Sequence, residues 1–367
     1  MFKKKSIPDL WLLILILFLL SFGLIVVFST GFNDALIGGN SHIKFGQQAK
    51  WAGLSLLLML ITIYIPINWF YKFSFYIYIL GLILLGLVFV PGIGMELLGA
   101  YRWIEVGSLT FMPSELMKIG VVLLLSALFT KNKGQLKGFR PILLSLLVVL
   151  IPALLIFAQP DFGTMLLVLG TGGIMIFLAG LPWLITILFA LAGVGGLALV
   201  VSKKSYRLDR LSIYRNPWAD PDDTGYQIIH SLYAIVNGGL TGVGPGNSLM
   251  KYGYLPEAMS DFIFSIIAEE FGILGIFVLI LAYFLFLWRC FYLARKTEDV
   301  FSSFLVLGLS ISICLQSLIN IGVATATIPA TGVTLPFISA GGTSLAISMI
   351  SVGLILNVSR QVQLNQN

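Results

Sequence analysis

A carboxylate at the mouth of a strongly apolar run could act as a general base, and Asp261 in Ser260-Asp261-Phe262-Ile263-Phe264 is such a residue. It follows a polar stretch, 202–260, in an otherwise apolar chain. That stretch carries Lys203, Lys204, Arg207, Asp209, Arg210, Arg215, Asp220, Asp222, Asp223, Lys251 and Glu257. An acid at a membrane edge, fed by a loop rich in Arg and Lys, suits chemistry on an anionic, lipid-linked substrate. The competing reading is a helix cap, since a carboxylate at a helix start also complements the helix dipole.

Charge inside a membrane is costly and is a functional hypothesis by default. Arg102-Trp103 reads either as a site cation or as an interfacial anchor. In Pro113-Ser114-Glu115-Leu116-Met117-Lys118, proline suits the first helical turn, and Glu115 and Lys118 at i,i+3 can pair on one face. That pair fits a substrate role or a salt bridge that lets two charges enter the bilayer. Asp161, in Gln159-Pro160-Asp161-Phe162-Gly163-Thr164, is placed to cap the following helix. Glu269 lies about 12 Å beyond Asp261 at 1.5 Å per residue. Glu269 and Glu270 point to separate faces, so each needs its own polar partner. The run Gly238–Gly246 lacks the Lys-Ser/Thr that ends a P-loop and reads as a flexible re-entrant or interfacial loop.

The elements that position these residues are membrane helices. The chain is 58% hydrophobic and 10% charged, with mean hydropathy +0.99, where a soluble domain has about 25% charged residues. The predicted fold is an all-α integral membrane protein with ten transmembrane helices in one domain, 1–367. The spans are Leu10–Phe28, Ala52–Ile67, Phe73–Val90, Pro113–Phe129, Pro141–Phe157, Thr164–Ala179, Trp183–Val201, Phe262–Leu287, Phe304–Ile328 and Thr343–Val358. The long extracellular loop 202–260 joins spans seven and eight. Lys3–Lys5 before an overlong apolar run, with no small-x-small site after it, read as the inner flank of a first span and not as a signal peptide.

Lys72, Lys131, Lys133, Lys137, Arg140, Arg289, Arg295, Lys296 and Arg360 fall on alternate loops, against Lys44, Lys50 and Arg102 on the short loops of the other side. The six basic residues of 202–260 break the trend, since a loop this long translocates largely regardless of charge. The short-loop asymmetry places both termini in the cytoplasm. The net charge of +6 therefore reflects topology and not nucleic-acid binding. Cys290 and Cys314 read as packing residues. His42 and His230 read as exposed-loop residues, and no metal-ligand spacing occurs.

Several strings occur together: Gly99-x-x-Arg102-Trp103, Pro113-Ser114-Glu115-x-x-Lys118, Gln159-Pro160-Asp161-x-Gly163-Thr164, Asn216-Pro217-Trp218-x-Asp220-Pro221, Gly225-Tyr226-Gln227, Leu255-Pro256-Glu257-Ala258-x-x-Asp261-Phe262-Ile263-Phe264 and Thr334-Leu335-Pro336-Phe337-Ile338-Ser339. In this order they resemble the SEDS family (shape, elongation, division and sporulation) of ten-span peptidoglycan polymerases. The Asn-Pro-Trp-x-Asp-Pro and Leu-Pro-Glu-Ala segments look more like its FtsW/SpoVE branch than like RodA. Two positions depart from the family pattern. Ser260 replaces the usual Thr and keeps a hydroxyl, and Ala340 stands where a Tyr is usual.

The resemblance implies a peptidoglycan glycosyltransferase of the bacterial plasma membrane. It would polymerise lipid II and release undecaprenyl pyrophosphate, with Asp261 as catalytic base. Arg102, Lys118, Arg207 and Arg210 are the candidates for gripping the pyrophosphate, and Glu115, Asp161 and Gln227 complete the substrate-binding set. A divalent cation, Mg or Mn, could assist. Implied partners are membrane lipids, a class B penicillin-binding protein that supplies transpeptidation, and other division proteins.

Two other classes compete. A ten-span protein with charges near the membrane could be a lipid-linked precursor flippase, or a scaffold in which Asp261 is dispensable. The enzyme is favoured because the charged clusters gather at one face and the long loop leads into Asp261. Inverted repeats, which many transporters show, are not evident.

Overall fold

The computed structural model of the chain describes residues 7–36, 41–97, 100–107, 109–183, 216–221 and 225–366. Its helices are α1 (Leu10–Leu36), α2 (Ser41–Tyr64), α3 (Ile67–Leu87), α4 (Pro113–Lys131), α5 (Phe139–Ala158), α6 (Phe162–Leu178), α7 (Tyr226–Gly238), α8 (Ile263–Lys296), α9 (Val300–Ala324) and α10 (Gly342–Gln366). Seven of them (α1, α3, α4, α5, α8, α9 and α10) are long and apolar enough to cross a membrane. The other two expected spans in the described residues fall short of that measure. The first half of α2 carries Gln47, Gln48 and Lys50, and α6 has only 17 residues. The expected span Trp183–Val201 lies almost wholly outside the described residues.

Burial sorts the helices into a centre and a ring. The most apolar windows of α4, α9 and α10 are 83%, 72% and 89% buried, against 28% for α3, α5 and α8. The ring presents Phe75, Leu154, Phe277, Phe284 and similar side chains outward, as lipid-facing helices do. The centre carries the polar side chains, because a buried polar group must find a partner inside the protein.

Three features depart from the helical reading of the sequence. Pro66 ends α2 and starts α3 at Ile67, six residues before the expected start, because proline suits a helix N-terminus and not an interior. The stretch between α3 and α4 forms a three-stranded antiparallel sheet, β1 (Gly94–Leu97), β2 (Ala100–Val106) and β3 (Leu109–Phe111), a feature that helical periodicity does not reveal. Finally, α8 is broken at Gly272, whose φ of 63° and ψ of −162° only glycine adopts readily. Lipid-type exposure begins just past the break, at Ile273 and Leu274. Glu269 and Glu270 therefore sit above the spanning part of the helix.

The glycine-rich run docks into that break. Val243 N and Gly244 N donate to the carbonyls of Glu269 and Glu270, and Gly239 O and Leu240 O accept from Ile273 N and Leu274 N, at 3.0 to 3.2 Å. A Cβ on Gly242 would stand 2.1 Å from Glu270 O, so the close approach requires glycine there. The segment is thus a backbone clasp on α8, in place of the expected flexible loop.

At the opposite end of the bundle Asp9 gathers three elements. It caps α1 through Leu12 N at 3.1 Å, pairs with Arg289 of α8 at 2.7 Å, and its N–H reaches Ser359 of α10 at 3.0 Å. The described N- and C-terminal segments thus meet at the end away from Asp261.

Candidate functional site

The site is assembled from four places in the chain. The sheet carries Arg102 on β2, the α5–α6 turn carries Asp161, the turn before α8 carries Asp261, and the segment before α10 carries Gly332. A Cβ placed on Gly332 would lie 3.6 Å from Arg102 Nη1 and 3.7 Å from Asp261 Oδ2. Cation and carboxylate therefore face the same exposed, side-chain-free position. Gly332 has φ +74°, so a larger residue would be strained as well as in the way.

Asp261 does not cap α8. The helix starts at Ile263 with Phe262 in the cap position, and no side chain caps it. Its carboxyl is raised from 3.8 to about 6, chiefly by burial. Glu257 and Asp161 add to the rise, while the Ser260 hydroxyl and Arg102 pull it back. An acid poised there changes protonation near neutral pH, which suits proton abstraction.

Asp161 both caps and faces the site. Its Oδ1 accepts from Thr164 N at 3.2 Å and its Oδ2 from Ser114 Oγ at 3.4 Å. Burial raises its carboxyl above the usual range against the opposing pull of Arg102 and of the Thr164 bonds. Arg102 is held by Pro160 O, while its Nε is buried without a partner. This is a cation with bonding capacity to offer.

Glu115 and Lys118 form a buried layer beside Asp161. They pair at 2.8 Å, and Lys118 Nζ also donates to Gln316 Oε1 at 2.6 Å. Gln316 in turn donates to Thr334 O at 3.0 Å and Ser344 Oγ at 3.2 Å. Both members of the pair are thus engaged inside the bundle, joining α4 to α9 and α10.

Gln227 lies in the first turn of α7, one turn before Ser231. Helices α7 and α8 run parallel, with Ser231 against Ser265 at 2.6 Å and Asn237 against Glu269 at 2.8 Å. His230, expected in a loop, lies on α7 and is half-buried, stacked on Tyr226. His42 falls in the first turn of α2, not in a loop. Arg207 and Arg210 lie outside the described residues. Ala340, partly buried against the core, donates its N–H to Met259 O at 2.8 Å.

Sequence reasoning missed Gln316, Asn320, Thr331 and Gly332. Gln316 and Asn320, four apart in an apolar run, carried a readable signal, since polar residues inside a span are rare without a reason. Thr331 Oγ and Asn320 Oδ1 are buried without partners. Gly332 carries no such signal, because its role is the space it leaves.

The fold and site define a multi-pass membrane protein with an acid–cation pair at one end of a helical bundle. The family model FTSW_RODA_SPOVE, described as "Cell cycle protein", matches residues 10–364, and the chain belongs to that family. It is 38% identical to stage V sporulation protein E of Bacillus subtilis, over 98% of this chain and 99% of that one. It is 36% identical to the probable peptidoglycan glycosyltransferase FtsW of Saccharophagus degradans, over 94% and 90%. Among solved structures, it is similar to a chain of a peptidoglycan synthase complex that coordinates polymerization and crosslinking, with TM-score 0.79 and 30% identity over 97% and 98% of the two chains. It is also similar to the rod shape determining protein RodA of Thermus thermophilus, with TM-score 0.72 and 28% identity over 96% and 97%.

Proposed function

We propose that this chain is a peptidoglycan glycosyltransferase that polymerises lipid II and releases undecaprenyl pyrophosphate. The observation that carries the reading is the uncapped, raised carboxyl of Asp261 facing Arg102 across Gly332. In this reading Asp261 takes the proton from the C4 hydroxyl of an acceptor GlcNAc as that oxygen attacks the anomeric carbon of a donor MurNAc. The bond from that carbon to the pyrophosphate oxygen breaks, and its electron pair leaves with the pyrophosphate. The leaving group is a weak base and needs charge neutralisation more than a proton. In this reading Arg102 supplies this charge, and Arg207 and Arg210 are the further candidates. Direct attack inverts the α-linked donor to a β-linked glycan. One carboxylate with cations therefore serves here, in contrast to the paired carboxylates of glycoside hydrolysis.

The described residues do not gather a cation site by themselves. Among the described residues no group of three or more His, Cys, Asp or Glu could hold a metal. A magnesium or manganese ion would depend on the substrate's phosphates for most of its ligands, and no step here is routed through one. Grooves between the spans admit the polyprenyl tails. The site faces outward, both termini lie in the cytoplasm, and the membrane is the bacterial plasma membrane. A class B penicillin-binding protein supplies crosslinking and other division proteins assemble around it. The similarity to a synthase complex that couples polymerization with crosslinking supports that pairing.

The test is purified protein with its transpeptidase partner and labelled lipid II. Wild type is expected to make glycan and Asp261→Asn to make none. Glycan at the wild-type rate from Asp261→Asn removes the base. Transbilayer movement of lipid without polymer replaces the enzyme with a flippase.

A further inference from the structure

The turn that carries Asp261 is held from two sides. Within it, the N–H groups of Ser260, Asp261 and Phe262 all reach the carbonyl of Glu257, at 3.1, 3.1 and 3.2 Å. Glu257 itself sits at φ +54°, a conformation uncommon outside glycine. From outside, three successive carbonyls are captured by three different donors. Met259 O accepts from Ala340 N at 2.8 Å, Ser260 O from Ser339 Oγ at 2.5 Å, and Asp261 O from Asn320 Nδ2 at 2.9 Å. The same Asn320 nitrogen donates to Val333 O at 2.7 Å, so both of its hydrogens bridge the two segments. Ser339 Oγ accepts from Leu335 N at 2.7 Å. Segment 257–262 is thus stitched residue by residue to segment 332–341, which contributes Gly332.

Asn320 is fully buried, and Ser339 is 3% exposed. Both bind the backbone of the turn and act through it. We propose that Asn320 and Ser339 are positioning residues for Asp261, locking its turn to the Gly332 segment so that the carboxylate stays facing Arg102. The proposal rests on Asp261 being the base. A base must lie within hydrogen-bond reach of its proton, and a misplacement of about 1 Å can cost on the order of 10²-fold in rate. An Asn in an apolar helix is costly unless its amide is bonded, and here both donors serve the site.

The charged groups facing Asp261 are Glu257 from its own turn, Arg102 from β2 and Asp161 from the start of α6. A turn released by losing Asn320 or Ser339 lets its carboxyl take up water and relax toward the ordinary range. The experiment uses the full-length chain with its transpeptidase partner and labelled lipid II, comparing wild type, Asn320→Ala, Ser339→Ala and Asp261→Asn across pH. In Asn320→Ala and Ser339→Ala, kcat is expected to fall roughly 10- to 100-fold, with KM for lipid II changed less than about two-fold. The acid limb of kcat is expected to move to lower pH. That limb is read on residual activity and does not depend on how much protein folds. Wild-type kcat in both variants overturns the proposal, and so does a fall with the acid limb unmoved. If Asn320→Ala yields no folded protein, Ser339→Ala decides by the same two readouts. Activity surviving in Asp261→Asn removes the base reading itself, whereas an inactive Asp261→Asn beside unaffected Asn320→Ala and Ser339→Ala removes only the positioning.

Discussion

Asp261 and Glu269 stand eight residues apart on one stretch of chain, and the fold treats them oppositely. Glu269 is fully buried and accepts from Asn237 Nδ2 at 2.8 Å, Leu249 N at 3.1 Å, Met250 N at 3.3 Å and Ser248 Oγ. Its neighbour Glu270 is buried against Lys251 at 3.0 Å and Ser29 at 2.7 Å. These two carboxylates hold the segment 246–251 and α1 to the broken start of α8. Asp261 has its backbone bonded at every point while its carboxylate, with the Ser260 hydroxyl beside it, faces a cation and open space. Glu269 and Glu270 are saturated with donors, whereas Asp261 is fixed through its main chain.

The contrast can be broken by substitution. Asp261→Asn should lower polymerisation of labelled lipid II by about 10² to 10⁴, the usual contribution of a general base, with the protein still folded. Glu269→Ala should do the reverse, destabilising the fold by about 3 kcal/mol as four donors lose their acceptor in a dry site. Thermal unfolding in detergent measures this, and the acid limb of the remaining activity should not move. An unchanged melting temperature in Glu269→Ala would erase the distinction between the two acids.

Smaller effects sharpen it. Arg102→Ala should reduce kcat/KM for lipid II on the order of 10-fold, about 1.4 kcal/mol of transition-state stabilisation. A wild-type value would take Arg102 out of the site. Wild-type activity should fall as pH drops through about 6, where Asp261 takes up its proton. A flat profile from pH 5 to 8 would contradict a base so placed.

The least effect concerns stability. The raised carboxyl means that the folded state binds this proton more tightly than the unfolded chain, so Asp261's contribution to stability is lost as pH rises from about 4 to about 6. Asp261→Asn should therefore melt slightly higher than wild type at pH 8, with the difference gone below about pH 4. Melting curves at the two pH values check the sign.

Much of this was legible in the residues because membrane helices announce themselves by local composition. The apolar runs, the proline at Pro113, the capping role of Asp161 and the separate partners needed by Glu269 and Glu270 all follow from spacing along the chain. The motif strings singled out Asp261 as the candidate base. What local pattern could not decide was whether Asp261 caps its helix. A cap and a free base have the same sequence signature, and the difference lies in one residue of helix register at Phe262.

Composition and periodicity alone determined a polytopic helical protein with most of its charges outside the apolar runs, because burying backbone and side chains in lipid leaves few alternatives. Tertiary structure alone decided which polar groups are consumed by one another. Lys118 turns to Glu115 and Gln316, and Lys251 to Glu270, while Arg102 and Asp261 are held apart over Gly332. Those outcomes depend on the approach of residues as much as 230 positions apart, as Arg102 and Gly332 are. No stretch of chain read by itself contains the distance between them.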